Sequence, residues 1–403
     1  SRFVQGRLFA ETFRVIRERP KSENGISSFG ALMISTASRV GTGNIIGVAS
    51  AIAIGGAGSL FWMWVTAIIG GASAFVESTL AQIYKKKNKD GSSYGGPAYY
   101  MADALGHKWL GIVFSVIIIL TYAVGYNMLA AYNLQSTFKA FDFYGDSTPV
   151  IIGVILAVLF GIIVIGGAKR LVKVTGVMVP VMGVIYVAVA ILVLVINIKN
   201  IPGMFAAIFE SAFDFEAIFG GFAGSCIMNG IKRGLYSNEA GMGSAPNAAA
   251  KADVSHPAKQ GLVQMLSVFI DTLLICTATG FMVLSSGVAV TEKMQEDSAL
   301  YVQAAMGESL GAFGPIFIAV AMSLFAFTTL IGNFSYCEGC LNFIAGKEVG
   351  KTGSLIFRLA ATALVFVGTI ATASMVWDMA DMLQGCMVII NMPVILILMK
   401  PAM

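Results

Sequence analysis

Ser35-Thr36-Ala37-Ser38-Arg39-Val40-Gly41-Thr42-Gly43-Asn44 sets hydroxyls, an arginine, an amide and two closely spaced glycines within an otherwise apolar run. Each glycine weakens a helix by about 1 kcal/mol relative to alanine, so a helix is expected to open here. An opening frees amide N–H groups at the start of the following half, around Gly41, Thr42, Gly43 and Asn44, where the helix dipole is positive and a carboxylate is welcome. It also frees carbonyls at the end of the preceding half, from Ala37 to Val40, and these suit Na+ or an ammonium. One break can thus hold both ends of an amino acid and a cation. Close helix packing through small residues is the competing reading, and Gly43-x3-Gly47 fits it. No strand precedes Gly41-x-Gly43, which argues against a dinucleotide loop. No cofactor is expected beyond a coupling ion, Na+ or H+.

A second polar interruption is Gly220-Gly221-Phe222-Ala223-Gly224-Ser225, followed by Met228-Asn229-Gly230. Span lengths place a second helix break here, near residues 220–230. Gly224 and its neighbours either line a site or pack helices, and the buried Asn229 amide needs partners. Phe222 and Met228 are candidates for a short apolar wall that excludes larger side chains. Gln135 either bonds a substrate or is solvated at the interface. Thr328-Thr329 supply hydroxyls for a cation, although threonine in a helix commonly bonds its own backbone. Glu77 and Asp271 are acids inside spans, where such groups serve function by default. Either can carry a proton or neutralise Arg39, and Asp271, nearer mid-span, is the better proton candidate. Asp378, Asp381 and Trp377 read as rim residues. Cys337-x2-Cys340 lacks a partner pair for zinc, and the two histidines, His107 and His256, lie in candidate loops. A membrane-embedded enzyme would need a nucleophile with a base, and no span contains a histidine.

The elements that must position these groups follow from composition. The chain of 403 residues is 57% hydrophobic and 12% charged, with a formal charge of +4. An average soluble domain is about 25% charged, so the surface needed by a soluble enzyme or a nucleic-acid module is missing. Long unbroken apolar runs point to helices rather than a membrane barrel. Ten candidate spans are 27–54, 58–84, 110–138, 149–166, 172–196, 215–240, 260–286, 313–343, 353–373 and 375–399. Sorting the loops by side puts 22 of the 26 Lys and Arg on one face, including Lys232 and Arg233. The opposite face has Lys139, Lys199 and Lys293. This asymmetry places residues 1–26 and the C-terminus in the cytoplasm. Residues 1–26 read as an amphipathic surface helix or a basic connector.

Ten spans divide into five plus five, residues 27–212 and 213–403. An odd number per half inverts the second half relative to the first. Arg39-x4-Asn44-x2-Gly47-x2-Ser50-Ala51 recurs as Arg233-x4-Asn238-x2-Gly241-x2-Ser244-Ala245, an offset of 194 that also maps Glu77-Ser78 onto Asp271-Thr272. The offset pulls the second break later than the span lengths do.

The stretches GTGNIIGVASAIAIGGAGSLFWMW (41–64), GGPAYYM (95–101), IKRGLYSNEAGMGSAP (231–246), QGLVQMLSVFIDTLLICTATG (260–280) and FAFTTLIG (325–332) resemble the alanine or glycine:cation symporter family of prokaryotes. The resemblance covers most of the chain. It implies an all-α polytopic fold of the leucine-transporter type, a five-plus-five inverted repeat with broken helices one and six. It implies alternating-access symport of alanine and glycine with Na+ or H+ across the cell membrane, by a monomer, and one more helix before Ser1. By the same resemblance Thr42, Gly43 and Asn44 match the substrate and cation segment. Ala37 and Val40 match the Na+ carbonyls, Thr328 and Thr329 their hydroxyl partners. Gln135 matches a third-helix glutamine, and Asn229 falls at the sixth-helix break. IGNFSYCEG (331–339) departs from the family, which more often has Trp and a Tyr pair there. A proton-coupled carrier using Asp271 or Glu77 is the alternative.

Overall fold

The computed structural model describes residues 4–20, 22, 25–88, 91–221 and 224–402. Helices dominate. A short amphipathic helix, α1 (Phe9–Ile16), precedes α2 (Ser28–Arg39), which is capped by the Ser27 side chain accepting the Gly30 N–H at 3.0 Å. The second half of the same run is α3 (Gly43–Gly55), bent 52° from α2. Then come α4 (Gly58–Ile83), α5 (Lys108–Ala140), α6 (Thr148–Ile165) and α7 (Arg170–Ile196). After α8 (Ile201–Ala212), α9 (Cys226–Asn238) and the single turn α10 (Ala245–Ala249) lead into α11 (Pro257–Ser285). The chain closes with α12 (Ser298–Leu310), α13 (Phe313–Ala345), α14 (Lys351–Ile370) and α15 (Ala373–Ile397).

Eight of these helices are long and apolar enough to cross a membrane, nine with α2 and α3 taken as one bent span, among the described residues. The protein is an all-α, multi-pass membrane protein. The expected span 215–240 is not one helix. It divides into Phe215–Gly220 and α9, which is capped by Ser225, whose hydroxyl accepts the Met228 N–H. Phe222 lies outside the described residues.

A further interruption follows α9, and it changes the expected geometry. Glu239 takes a left-handed conformation (φ 54°), and Gly241 (φ 79°) and Gly243 (φ 82°) continue the turn into α10. Left-handed backbone is where glycine is at home and a Cβ is penalised. The chain thus breaks twice in this region: near 220–225, where span lengths place a break, and again at 239–244, where Glu239 bonds Ser38 beside the first-helix break. Hydropathy counts apolar residues and misses a turn written in glycine and small polar residues.

The broken runs sit in the middle of the bundle. α9 and α11 pack on α4, and α13 packs on α2 so closely that a Cβ at Gly332 would crowd the backbone of Ala37 and Ser38. The flanking helices α6, α7, α14 and α15 turn apolar side chains outward, with Val184 at 70% and Ile389 at 74% exposure. On helices long and apolar enough to cross a membrane, such faces suit a lipid surrounding. At one end, Ile26 forms a parallel bridge to Ala252, and Glu18 pairs with Lys259 at 2.6 Å, tying the N-terminal segment to the loop before α11.

Candidate functional site

The first break is held by its own residues. In the last turns of α2, the Ser35 hydroxyl donates to the carbonyls of Ala31 and Leu32, the back-bonding that bends helices. Val40 leaves helical geometry (ψ 89°), and the Gly41 N–H donates to Asn44 Oδ1 at 2.7 Å. Asn44 Nδ2 donates across to Asp271 Oδ1 at 2.6 Å and to the Asp271 carbonyl at 3.2 Å. Asn44 is thus a keystone with both ends of its amide engaged. Asp271 also accepts from the hydroxyls of Ser237 and Thr272, each at 2.8 Å.

Glu77 does the reciprocal work. Its two oxygens accept the backbone N–H groups of Gly241 (3.3 Å) and Gly243 (3.1 Å) and the Asn391 amide (3.0 Å). Each acid therefore holds the break that belongs to the opposite half of the chain, and the two acids are related by the 194-residue offset. Both are fully buried, and the described donors leave them acting as acceptors.

A cavity of about 10 Å³, room for roughly one water, lies at the first break, lined by Ser38, Arg39, Gly41, Thr42, Gly43, Tyr126, Tyr236, Glu239 and Thr329. Tyr236 covers it. A Cβ on Gly43 would stand 2.7 Å from the Tyr236 ring, and the tyrosine hydroxyl meets Thr42 Oγ1 at 3.4 Å. The ring stacks edge-on against Tyr126 (4.9 Å) and Trp377 (5.5 Å). Trp377 carries the Arg233 guanidinium at 4.2 Å, and Arg233 forms a two-point ion pair with Asp381 at 2.8 and 3.3 Å. Glu239, at the second break, accepts from Ser38 (2.7 Å) and Ser244 (2.8 Å), linking the two breaks directly.

The two threonines separate. Thr328 Oγ1 bonds the carbonyls of Leu324 and Phe325 on its own helix, both at 3.0 Å. Thr329 Oγ1 is buried with no partner among the described residues and stands where a Cβ on Gly41 would be. An orphaned hydroxyl beside Gly41, one residue past Val40, suits a cation. Ala37 and Val40 are both buried in the same turn. Arg39, buried at 2% exposure, bonds the carbonyl and side-chain oxygen of Gln264 through Nη1, while Nε and Nη2 have no partner among the described residues. It makes no direct ion pair there, though its charge acts on Glu77, Glu239 and Asp271.

The remaining candidates lie elsewhere. Gln135 Oε1 accepts from Tyr144 at 2.6 Å, and the α5 amide that reaches Thr42 is Asn133, at 3.3 Å. Asn229 donates back to the carbonyls of Gly224 and Ser225, capping its own helix, and it packs on Gly55. Gly55 is twelve residues beyond Gly43, about 18 Å along a helix, so Gly224, Met228 and Asn229 do not face the first break. Asn133, Tyr126, Tyr236 and Glu239 were not singled out by sequence. One signal existed: the 194-residue offset pairs Thr42 with Tyr236, whose hydroxyls meet.

Comparison with known proteins agrees with this picture of a carrier. A profile of the sodium:alanine symporter family matches residues 1–403. The chain is 47% identical over 401 residues to the amino-acid carrier protein AlsT of Bacillus subtilis, covering 99% of this chain and 84% of that protein. It is 39% identical over 401 residues to a sodium/proton-dependent alanine carrier protein of a Bacillus species, covering 96% and 89%. It is 37% identical over 380 residues to the sodium/alanine symporter AgcS of Methanococcus maripaludis, covering 94% and 83%. These relatives bear the names of carriers and symporters, not of enzymes. An interrupted helix braced by buried acids, in a chain that aligns along its whole length, belongs to the sodium:alanine symporter family.

Proposed function

We propose that this chain imports small neutral amino acids, alanine and glycine, by symport with Na+, through alternating access of one site at the first-helix break. The observation that carries the reading is the meeting of three features at Gly41–Gly43: a bent backbone, an unpartnered Thr329 hydroxyl and a tyrosine lid. The zwitterion's carboxylate docks on the backbone around Gly41, Thr42 and Gly43, with Asn44 holding that backbone in place. Thr42 and Asn133 offer the neighbouring polar atoms. Na+ sits against the carbonyls of Ala37 and Val40 with the Thr329 hydroxyl. Thr328 is spent on its own helix.

The size limit comes from Tyr236 and Tyr126, which replace Phe222 and Met228 as the apolar wall. A cavity of about 10 Å³ is too small for alanine, so the lid moves for entry. That motion is alternating access, here between two five-helix halves in the leucine-transporter arrangement, with both termini on the cytoplasmic side of the plasma membrane.

The test is uptake of radiolabelled alanine into proteoliposomes, with Na+ and pH gradients imposed separately. An inward Na+ gradient alone is expected to drive accumulation, with glycine competing and leucine not. Accumulation driven by a pH gradient alone, with no response to Na+, overturns Na+ coupling in favour of a proton-coupled carrier. No uptake of either amino acid under any gradient overturns the substrate assignment.

A further inference from the structure

An apolar groove of about 580 Å³ opens on the outer surface of the bundle between α1, α2, α7 and α11. Its rim is exposed at Phe13 (49%), Phe29 (42%) and Val184 (70%), and its floor is buried at Val40 (1%), Val179 (4%) and Ile275 (2%). The one polar side chain in the lining, Thr36, has its hydroxyl engaged by Ser267 at 3.0 Å. The groove thus offers an occupant shape and apolar contact with little hydrogen bonding. Because α7 and α11 cross the membrane, its mouth faces hydrocarbon, where water does not compete.

One end of the groove is basic. Arg17 follows the lining residue Ile16. Lys173 lies seven residues before the lining residue Pro180, on the same helical face and about 10 Å nearer the start of α7. That start lies beside the start of α2, since a Cβ on Gly30 would be 3.6 Å from Val172. Arg17 and Lys173 are exposed, and neither forms an ion pair among the described residues. The neighbouring Arg14 pairs with Glu11 at 3.5 Å.

We propose that this groove is a binding site for one anionic phospholipid, its acyl chain lying along α7 against α2 and its phosphate held at Arg17 and Lys173. Lipid chains have the length and the lack of polarity the lining requires, and the basic end selects the headgroup. The floor residues Thr36 and Val40 belong to the last turn before the first break. A chain seated there props the last turn of α2 beside the bend. The binding claim stands independently of the transport reading.

The groove can be filled from within. Gly183 lines it, and a Cβ there meets nothing within 4 Å, so Gly183→Phe occupies the space without displacing a neighbour. Ala188→Phe, also in the lining and exposed, is the second filler should the first fail to fold. The experiment is native mass spectrometry of protein purified in mild detergent from membranes of phosphatidylglycerol and phosphatidylethanolamine. Photo-cross-linking with a phosphatidylglycerol carrying an acyl diazirine runs beside it.

The wild-type chain is expected to retain one phospholipid, enriched in phosphatidylglycerol, and to cross-link within α7. A folded filled variant is expected to lose both signals. Arg17→Gln with Lys173→Gln is expected to keep the lipid and lose the headgroup preference, about fivefold per basic residue. Retention of the lipid by a filled variant at wild-type melting temperature overturns the site. So does a wild-type chain carrying detergent alone, or one whose groove is covered by a second copy and runs as a dimer.

Discussion

Thr328 and Thr329 are neighbours in the chain with opposite surroundings. The first satisfies its hydroxyl on its own helix, and the second leaves its hydroxyl unpaired at Gly41. An unpaired buried hydroxyl costs free energy unless something binds it, and a cation repays that cost. Thr329→Val is therefore expected to raise the Na+ concentration for half-maximal alanine uptake by about tenfold or more, the loss of one contact to a charge being worth roughly 1.5–3 kcal/mol. Thr328→Val is expected to leave it within about twofold, since a bond back to its own helix is worth little net. Na+ titrations of uptake for the two variants check both, and equal effects would remove Thr329 from the cation site. Sequence could name the pair and not the member, because adjacent helix positions point about 100° apart and only packing decides which one faces the break. The same limit explains Gln135 and Asn133, two positions apart on α5.

At the scale of elements, the first break was legible because its signal is local: glycines, hydroxyls and an asparagine inside an apolar run leave a helix no good continuation. The interruption near 220–225 is legible for the same reason, whereas the turn at the end of the run 215–240 is not, being built from Glu239, Gly241 and Gly243. Its position depends on a distant partner, the Glu77 carboxylate that collects two of its backbone N–H groups. Glu77→Gln puts an N–H donor where an acceptor is required. It is expected to destabilise the protein by about 1–3 kcal/mol, read as a lower melting temperature in detergent. If Glu77 carried the transported proton instead, the same variant would melt like wild type and lose only the pH dependence of uptake.

For the molecule as a whole, charge asymmetry predicts orientation, and two of the basic residues sit elsewhere than the loops suggest. Lys232 and Arg233 pair with Asp381 at 3.9 and 2.8 Å. Asp381 lies nearer the Thr372 end of α15 than the Lys400 end, so both basic residues belong with the opposite rim from the one they were counted on. The other loops keep the asymmetry that predicts residues 1–26 and the C-terminus on the cytoplasmic side, and labelling tests it. In a background with the exposed Cys386 replaced by serine, Phe143→Cys is expected to react with a membrane-impermeant maleimide in intact cells. Lys347→Cys is expected to react only after permeabilisation. The reverse pattern would invert the topology.

The crossed bracing of the two breaks has an evolutionary consequence. Glu77 sits in the first half and holds the second break, and Asp271 sits in the second half and holds the first. Neither half contains a complete hinge, so each is an incomplete machine by itself. Mutational drift at either acid must be answered at the far break, so the segments around 77 and 271 and the breaks they hold are bound to change in step.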